Sequence, residues 1–308
     1  MSGLAWGRLL RLSLAPSAAA DVLAGLVIGG QGEFPRELDA AWLVAGSLCV
    51  YHGGMVLNDW VDRDADAQLG RDRPLPRGEI SAAAAGTAAL VLFAAALALC
   101  ALVSWRALSW MSGVVALVVT YDVLGRGAWV GPVLLGACRA ANLGLGLFYV
   151  ATLAPDPLRV APPNAALLLS LYGAYTACAS RIARLEDVED ERAIGSTPRW
   201  ALLACATLLV SVAFVAGPRS GFSAPDAAAL ALALLGALGL FREALRRGAW
   251  SRADCGRATG AALRRLLVFT ACAVLAARTH SLDGWLVASA ILAGFALSAG
   301  LRRLFPPT

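Results

Sequence analysis

The stretch Asn58-Asp59-Trp60-Val61-Asp62-Arg63-Asp64-Ala65-Asp66 packs four carboxylates into nine residues and closes a long apolar run. If that run is a helix that continues through them, Asp59, Asp62 and Asp66 stand at i, i+3 and i+7 on one face, with Asn58 one turn before Asp62. Three like charges facing one space repel unless a cation lies between them. Mg²⁺ suits such a site, because it takes one or two carboxylates and completes its shell with waters and substrate phosphates. Asn58, Asp59, Asp62 and Asp66 are therefore candidate metal ligands. Asp64 falls on another face, and with Asp72 and Glu79 it reads as solvated loop charge.

A second acidic stretch holds Asp187, Asp190 and Glu191 at i, i+3 and i+4, which on a helix is again one face. Asp59-x-x-Asp62 and Asp187-x-x-Asp190 lie 128 residues apart, each just after an apolar run. Two such clusters across a cavity clamp metal ions that bridge the oxygens of a diphosphate and neutralise its charge as it leaves. Asp62, Asp66, Asp187 and Asp190 are the candidate catalytic carboxylates. Arginines supply fork-like donors for phosphate oxygens: Arg63, Arg71, Arg73 and Arg77 flank the first cluster, and Arg181 and Arg184 precede the second.

A diphosphate whose other end lies among apolar spans is an isoprenoid diphosphate, and its ionisation leaves an allylic carbocation. Excluding water protects that cation, and aromatic faces stabilise it. Tyr51, Trp60, Tyr121, Phe148, Tyr149, Tyr172 and Tyr175 are candidates for this role. Taken singly, each reads more readily as packing or as part of an interfacial belt.

The elements that must position these residues are membrane helices. Of 308 residues, 59% are hydrophobic and 15% charged, and the mean hydropathy is +0.68; a soluble domain carries about 25% charged residues. The chain is expected to be an all-α, multi-pass transmembrane bundle of nine or ten spans around a central apolar cavity, forming one domain over residues 1–308. Its two pseudo-repeated halves each contribute one acidic cluster. Candidate spans lie near 15–31, 38–58, 80–103, 107–123, 129–152, 163–183, 199–216, 225–245, 259–277 and 283–301. Before them, Trp6-Gly7-Arg8-Leu9-Leu10-Arg11-Leu12 reads as an amphipathic lead-in lying in the interface.

All 26 basic residues are arginine. With ten spans and the N-terminus inside, 20 of them fall on the cytoplasmic side, and the outer loops carry Arg36, Arg106, Arg159, Arg219 and Arg278. That asymmetry follows the positive-inside rule and puts both acidic clusters at the cytoplasmic face of the cell membrane. The remaining one, Arg139, lies within the fifth span with Asn142 at i+3. An arginine at that depth costs about 2.5–3.5 kcal/mol on insertion scales, so it should face the cavity. The pair is a candidate contact for acceptor or diphosphate, or a structural pairing. Gly131, Gly136, Gly144 and Gly146 with Pro132 read as close helix packing. Seven scattered cysteines read as buried hydrophobes, and His52 and His280 are too far apart to suggest a metal site.

Asn58-Asp59-x-x-Asp62-x-x-x-Asp66, followed by Arg73-Pro74-Leu75-Pro76-Arg77-Gly78-Glu79-Ile80-Ser81, resembles the signature of the UbiA superfamily of intramembrane prenyltransferases. Asp187-x-x-Asp190-Glu191-x-x-Ile194-Gly195 resembles that family's second motif, and the tone of Tyr51-x-Gly53-Gly54-Met55-Val56-Leu57 is similar to its EboC-like branch. The resemblance implies Mg²⁺ on both clusters, a prenyl diphosphate substrate, an acceptor inside the bilayer and no nucleic-acid partner. It departs at one point. Family members carry Tyr-x-x-x-Lys after the fourth span; here Tyr121, a candidate catalytic group, is followed by Gly125 at the lysine position and Arg126 next to it.

Two rival readings share these residues. A UbiA-type terpene cyclase uses the same ionisation with an internal alkene as nucleophile. A transporter also suits related halves with charged residues in the membrane, although its sites lie nearer the midplane.

Overall fold

The computed structural model describes residues 3–30, 36–125, 127–151, 164–188, 190–215, 223–246, 248–277 and 282–305. Among them there are helices and connecting turns and no strand. In order they are α1 (Gly3–Leu9), α2 (Ala15–Gly29), α3 (Glu37–Gln68), α4 (Ala82–Val103), α5 (Trp105–Leu124), α6 (Val130–Ala151), α7 (Ala165–Ala183), α8 (Thr197–Val215), α9 (Ala224–Ala244), α10 (Arg252–Arg264), α11 (Leu266–Ala276) and α12 (Leu282–Leu304). By length and composition, nine spans among the described residues suffice to cross a membrane. The chain is a multi-span membrane protein. α7 is a further helix of 19 residues whose Tyr172, Tyr175, Thr176 and Ser180 are turned inward and buried, which lowers its hydropathy without exposing it to lipid.

The hydrophobic interior divides in two. α1, α3, α4 and α5 pack around Leu43, Val50, Phe93 and Met111. α7, α8, α9 and the last three helices pack around Tyr172, Tyr175, Leu209 and Phe269. α2 and α6 contribute to both cores and form the seam. Their backbones touch because glycine removes the side chains: a Cβ on Gly25 would strike the carbonyl of Leu143, and one on Gly146 would strike that of Val22.

One candidate span is refined here and one sequence expectation changes. The candidate span near 259–277 falls within the membrane-length stretch Arg252–Ala276, whose helix is interrupted at Arg265 between α10 and α11. Arg265 donates to the carbonyls of Gly236 and Ala261 at 2.7 and 2.9 Å, which compensates part of the interruption. α11, 11 residues long, is buried at every position; at about 1.5 Å per residue it is too short to cross a bilayer by itself. The changed expectation concerns the second acidic stretch. α7 ends at Ala183, and Asp187, Asp190 and Glu191 lie on turns and a short 3-10 segment (Glu191–Ile194), so they do not share a helical face. Arg126, Arg159, Arg219 and Arg278 lie outside the described residues.

Candidate active site

α3 runs for 32 residues, about 48 Å at 1.5 Å per residue, and continues unbroken through the first acidic cluster. Asp59 and Asp66 are buried on one face at 1% exposure each, and Asp62 turns toward a cavity of about 1350 Å³. Asp64 points to solvent beside Arg63, 3.4 Å away.

The loop after α3 is organised around these carboxylates, and its residues account for the Arg-Pro-Leu-Pro signature one by one. Arg73 donates to Asp59 Oδ1 at 3.1 Å and to Asp66 Oδ2 at 2.7 Å. Leu75 and Ile80 are buried and pin the loop. Gly78 takes φ +69°, a conformation that favours glycine. Ser81 caps α4, accepting from the amide of Ala84 at 3.2 Å. Arg77 faces Asp72 and Glu79 at the surface and away from the cavity. Arg63 lies over the Trp60 ring, 4.9 Å from its centroid.

The second cluster reaches the same place from the other half. Asp187, 51% exposed at its side chain, lines the cavity and pairs with Arg71, which is also 3.2 Å from Asp66. Arg71 thus ties the two motifs together. Asp190 accepts from the amide of Arg192 at 2.9 Å and caps the 3-10 segment. Glu191 accepts from the amide of Arg252 at 3.0 Å and turns to α10. Buried Ile194 anchors the turn, and Gly195 at φ +55°, ψ −138° lets the chain leave it. Arg184 lines the cavity and donates to the Gly125 carbonyl at 2.8 Å, whereas Arg181 lies over the ring of Trp129.

Three further residues belong to the site without having been singled out by spacing. Arg11, in a left-handed backbone conformation at φ 48° ahead of α2, donates to Asp59 Oδ1 at 3.0 Å. Asp122 on α5 is buried, faces the Asn58 amide and lies within electrostatic reach of Asp59, Asp62 and Arg11. Asp21 on α2 accepts from Arg139 at 3.0 Å and from Asn142 at 3.0 Å, and pairs with the Tyr172 hydroxyl. Ser47 of α3 donates to Asn142 at 2.8 Å. Arg139 also lines the cavity, so one guanidinium is both part of a buried network across four helices and part of the cavity wall.

Of the aromatic candidates, Tyr51 and Tyr121 line the cavity. Trp60 donates to the carbonyl of Ala82, Phe148 packs on Trp110, Tyr149 pairs with Asp39, and Tyr172 and Tyr175 are wrapped around Phe269. None of those five lines the cavity.

Among the described residues no three acidic, histidine or cysteine side chains are arranged as a metal shell. The donor set nevertheless fits a hard divalent cation. Asp122 faces Asn58 within electrostatic reach of Asp59 and Asp62, Asp62 and Asp187 line one cavity, and the buried Oδ2 atoms of Asp59 and Asp122 have no hydrogen-bond partner. Arg11, Arg71 and Arg73 supply the positive charge that these carboxylates require.

Residues 18–265 match the model of the UbiA prenyltransferase family. A digeranylgeranylglyceryl phosphate synthase from Natronomonas pharaonis is 29% identical over 188 residues, 61% of this chain and 64% of the relative. A 4-hydroxybenzoate octaprenyltransferase from Cupriavidus necator is 34% identical over 164 residues, 50% of this chain and 53% of the relative. The aligned part thus spans less than two thirds of either relative. Among solved structures, an apo UbiA homolog from Aeropyrum pernix K1 aligns with a TM-score of 0.66 at 18% identity, covering 85% of this chain and 97% of that one. A UbiA homolog from Archaeoglobus fulgidus bound to DMAPP and Mg²⁺ aligns with a TM-score of 0.60 at 18% identity, covering 92% and 99%. At these identities the likeness is one of fold.

Proposed function

The chain belongs to the UbiA prenyltransferase family, and from that premise we propose that it transfers a prenyl group from an isoprenoid diphosphate to an acceptor held within the membrane. The observation that carries the proposal is the meeting of the two acidic motifs, Asp66 and Asp187 through Arg71, at a cavity whose remaining wall is largely apolar.

Asn58, Asp59, Asp62, Asp66 and Asp187 would hold Mg²⁺, with Asp190 and Glu191 shaping the second motif. When bound, Mg²⁺ supplies charge neutralisation to the diphosphate oxygens. Arg71, Arg73 and Arg184, already at the cavity wall, bind phosphate oxygens and orient the leaving group. The C–O bond breaks with its electron pair going to the diphosphate. An electron pair of the acceptor then forms the new bond to the allylic carbon, and the acceptor's proton is released. Met55, Leu135 and Leu267 exclude water from the cation, and Tyr51 and Tyr121 offer it their ring faces. Arg139 anchors the wall where the prenyl chain would lie. The arginine asymmetry supports a cavity mouth facing the cytoplasm in the cell membrane.

The test is release of diphosphate from geranyl diphosphate by the purified protein supplied with the lipid extract of its own membranes, with and without Mg²⁺, with mass spectrometry of the lipid product. Metal-dependent release and a prenylated acceptor are expected. A protein that releases no diphosphate under any divalent metal is not this enzyme, and release that yields only a cyclised hydrocarbon makes it a cyclase.

A further inference from the structure

The cavity has a second cationic region, on the wall formed by α10 and α12, that the diphosphate chemistry leaves unused. Arg264 of α10 and Arg302 of α12 both line it, and the two lie within electrostatic reach of one another. The cavity-lining arginines at the acidic motifs, Arg11, Arg71, Arg73 and Arg184, each have a carboxylate or carbonyl partner. Among the described residues Arg264 and Arg302 form no ion pair and no side-chain hydrogen bond, and the Nε of Arg302 is buried without a partner. Glu243 lines the same cavity but pairs with neither.

Two half-buried guanidinium groups lining one cavity without a counter-ion cost free energy, which an anion bound there offsets. The space beside them is prepared by the sequence. Gly256, Gly260 and Arg264 fall at i, i+4 and i+8, one face of α10, and all three line the cavity. A Cβ on Gly260 would come within 3.3 Å of Arg264 Nη1, so the glycine leaves the guanidinium room. On α12, Ser298 sits one turn before Arg302, its hydroxyl committed to the carbonyl of Ser13 at 2.6 Å. Leu263, Leu266 and Leu267 complete an apolar surround.

The geometry points to Arg264 and Arg302 as the acid-binding subsite for the acceptor, which is therefore a molecule carrying a carboxylate or phosphate on an apolar or aromatic body. Among the described residues no acidic side chain pairs with either arginine, so the pair suits an acid bound directly by guanidinium forks and suits a metal-bridged diphosphate poorly. This inference rests on the prenyl-transfer reading, because only that reaction requires a second substrate.

The experiment measures equilibrium binding to wild-type protein and to R264Q/R302Q in detergent, with two pairs of probes. One is 4-hydroxybenzoate against its methyl ester; the other is dioleoyl phosphatidic acid against dioleoylglycerol. Wild-type protein is expected to bind the acid of one pair at least about tenfold more tightly than its neutral partner, as charge-assisted hydrogen bonds require. Which pair discriminates tells an aromatic acid from a lipid phosphate. R264Q/R302Q should lose that discrimination while binding geranyl diphosphate with Mg²⁺ as the wild type does. Equal binding of acid and neutral probes by the wild type, unchanged discrimination in the variant, or an equal loss of geranyl diphosphate binding would each overturn the assignment. R264Q alone removes one of two unpaired like charges and should unfold no earlier than wild type, so misfolding does not obscure the result. Diphosphate release from geranyl diphosphate by protein supplied with the lipid extract of its own membranes is measured in parallel: its absence in wild type refutes prenyl transfer, while the binding pairs still decide the subsite.

Discussion

Arg71 pairs with Asp187 across 116 positions of sequence. It is also 3.2 Å from Asp66. A single guanidinium therefore holds the two acidic motifs together.

If Arg71 stands in for metal charge, Arg71→Gln should bind Mn²⁺ more tightly than wild type when no substrate is present, because the cation no longer competes with the guanidinium. The same variant should lose diphosphate affinity, by about 10–100-fold for a charge-assisted contact. Paramagnetic titration with Mn²⁺ checks the first part; weaker metal binding in the variant would show that Arg71 assists the metal instead.

Asp62→Ala and Asp190→Ala are both expected to abolish diphosphate release with the protein still folded in detergent, for different reasons. Asp62 faces the cavity, whereas Asp190 caps the 3-10 turn that presents the second motif. Asp190→Ser, which keeps a capping oxygen, should therefore retain measurable turnover, and Asp62→Ser should not. Identical activities of the two serine variants would remove this distinction.

Asp122 faces Asn58 from α5. Replacing it with alanine removes a buried carboxylate that orients the amide, and is expected to reduce turnover by about tenfold with little change in prenyl diphosphate affinity. Steady-state kinetics separate the two effects. A change confined to KM for the diphosphate would place Asp122 in substrate binding.

Gly195→Ala forces a side chain into φ +55°, ψ −138°, which costs about 1–3 kcal/mol. The strain falls on the turn next to Asp190 and Glu191, so activity should drop well before the midpoint of thermal unfolding moves. A variant with full activity would mean that the turn relaxes freely.

Asp21→Ala leaves Arg139 buried without its carboxylate, and the loss of one member of a buried ion pair costs about 3–5 kcal/mol. Thermal unfolding in detergent should show that loss. The double change Asp21→Leu with Arg139→Met should recover most of it, since neither charge is then left alone. A double variant as unstable as the single one would show that the network has no energetic coupling.

The sequence by itself determined the membrane class, the spans and the chemistry of the first motif, because hydrophobic period and carboxylate spacing are local properties. A helix that continues through Asp66 needs only the residues that form it, and the Arg73 to Ser81 signature encodes its own loop: a glycine for the positive φ, a serine for the cap, two apolar anchors. The second motif was legible as acidic residues and misread as a helical face, because the chain leaves α7 at Ala183 and carries those residues through turns and a 3-10 segment that buried Ile194 and Gly195 close. Only the tertiary structure decided which charges meet. Arg11 comes to Asp59, Asp122 to Asn58, Asp21 to Arg139, and Arg264 and Arg302 face one cavity with no ion-pair partner among the described residues. No spacing announces such partners, since each contact joins helices whose approach is set by burial over the whole bundle, and a lone arginine near a span end looks the same in sequence whether it faces water, a carboxylate or a substrate.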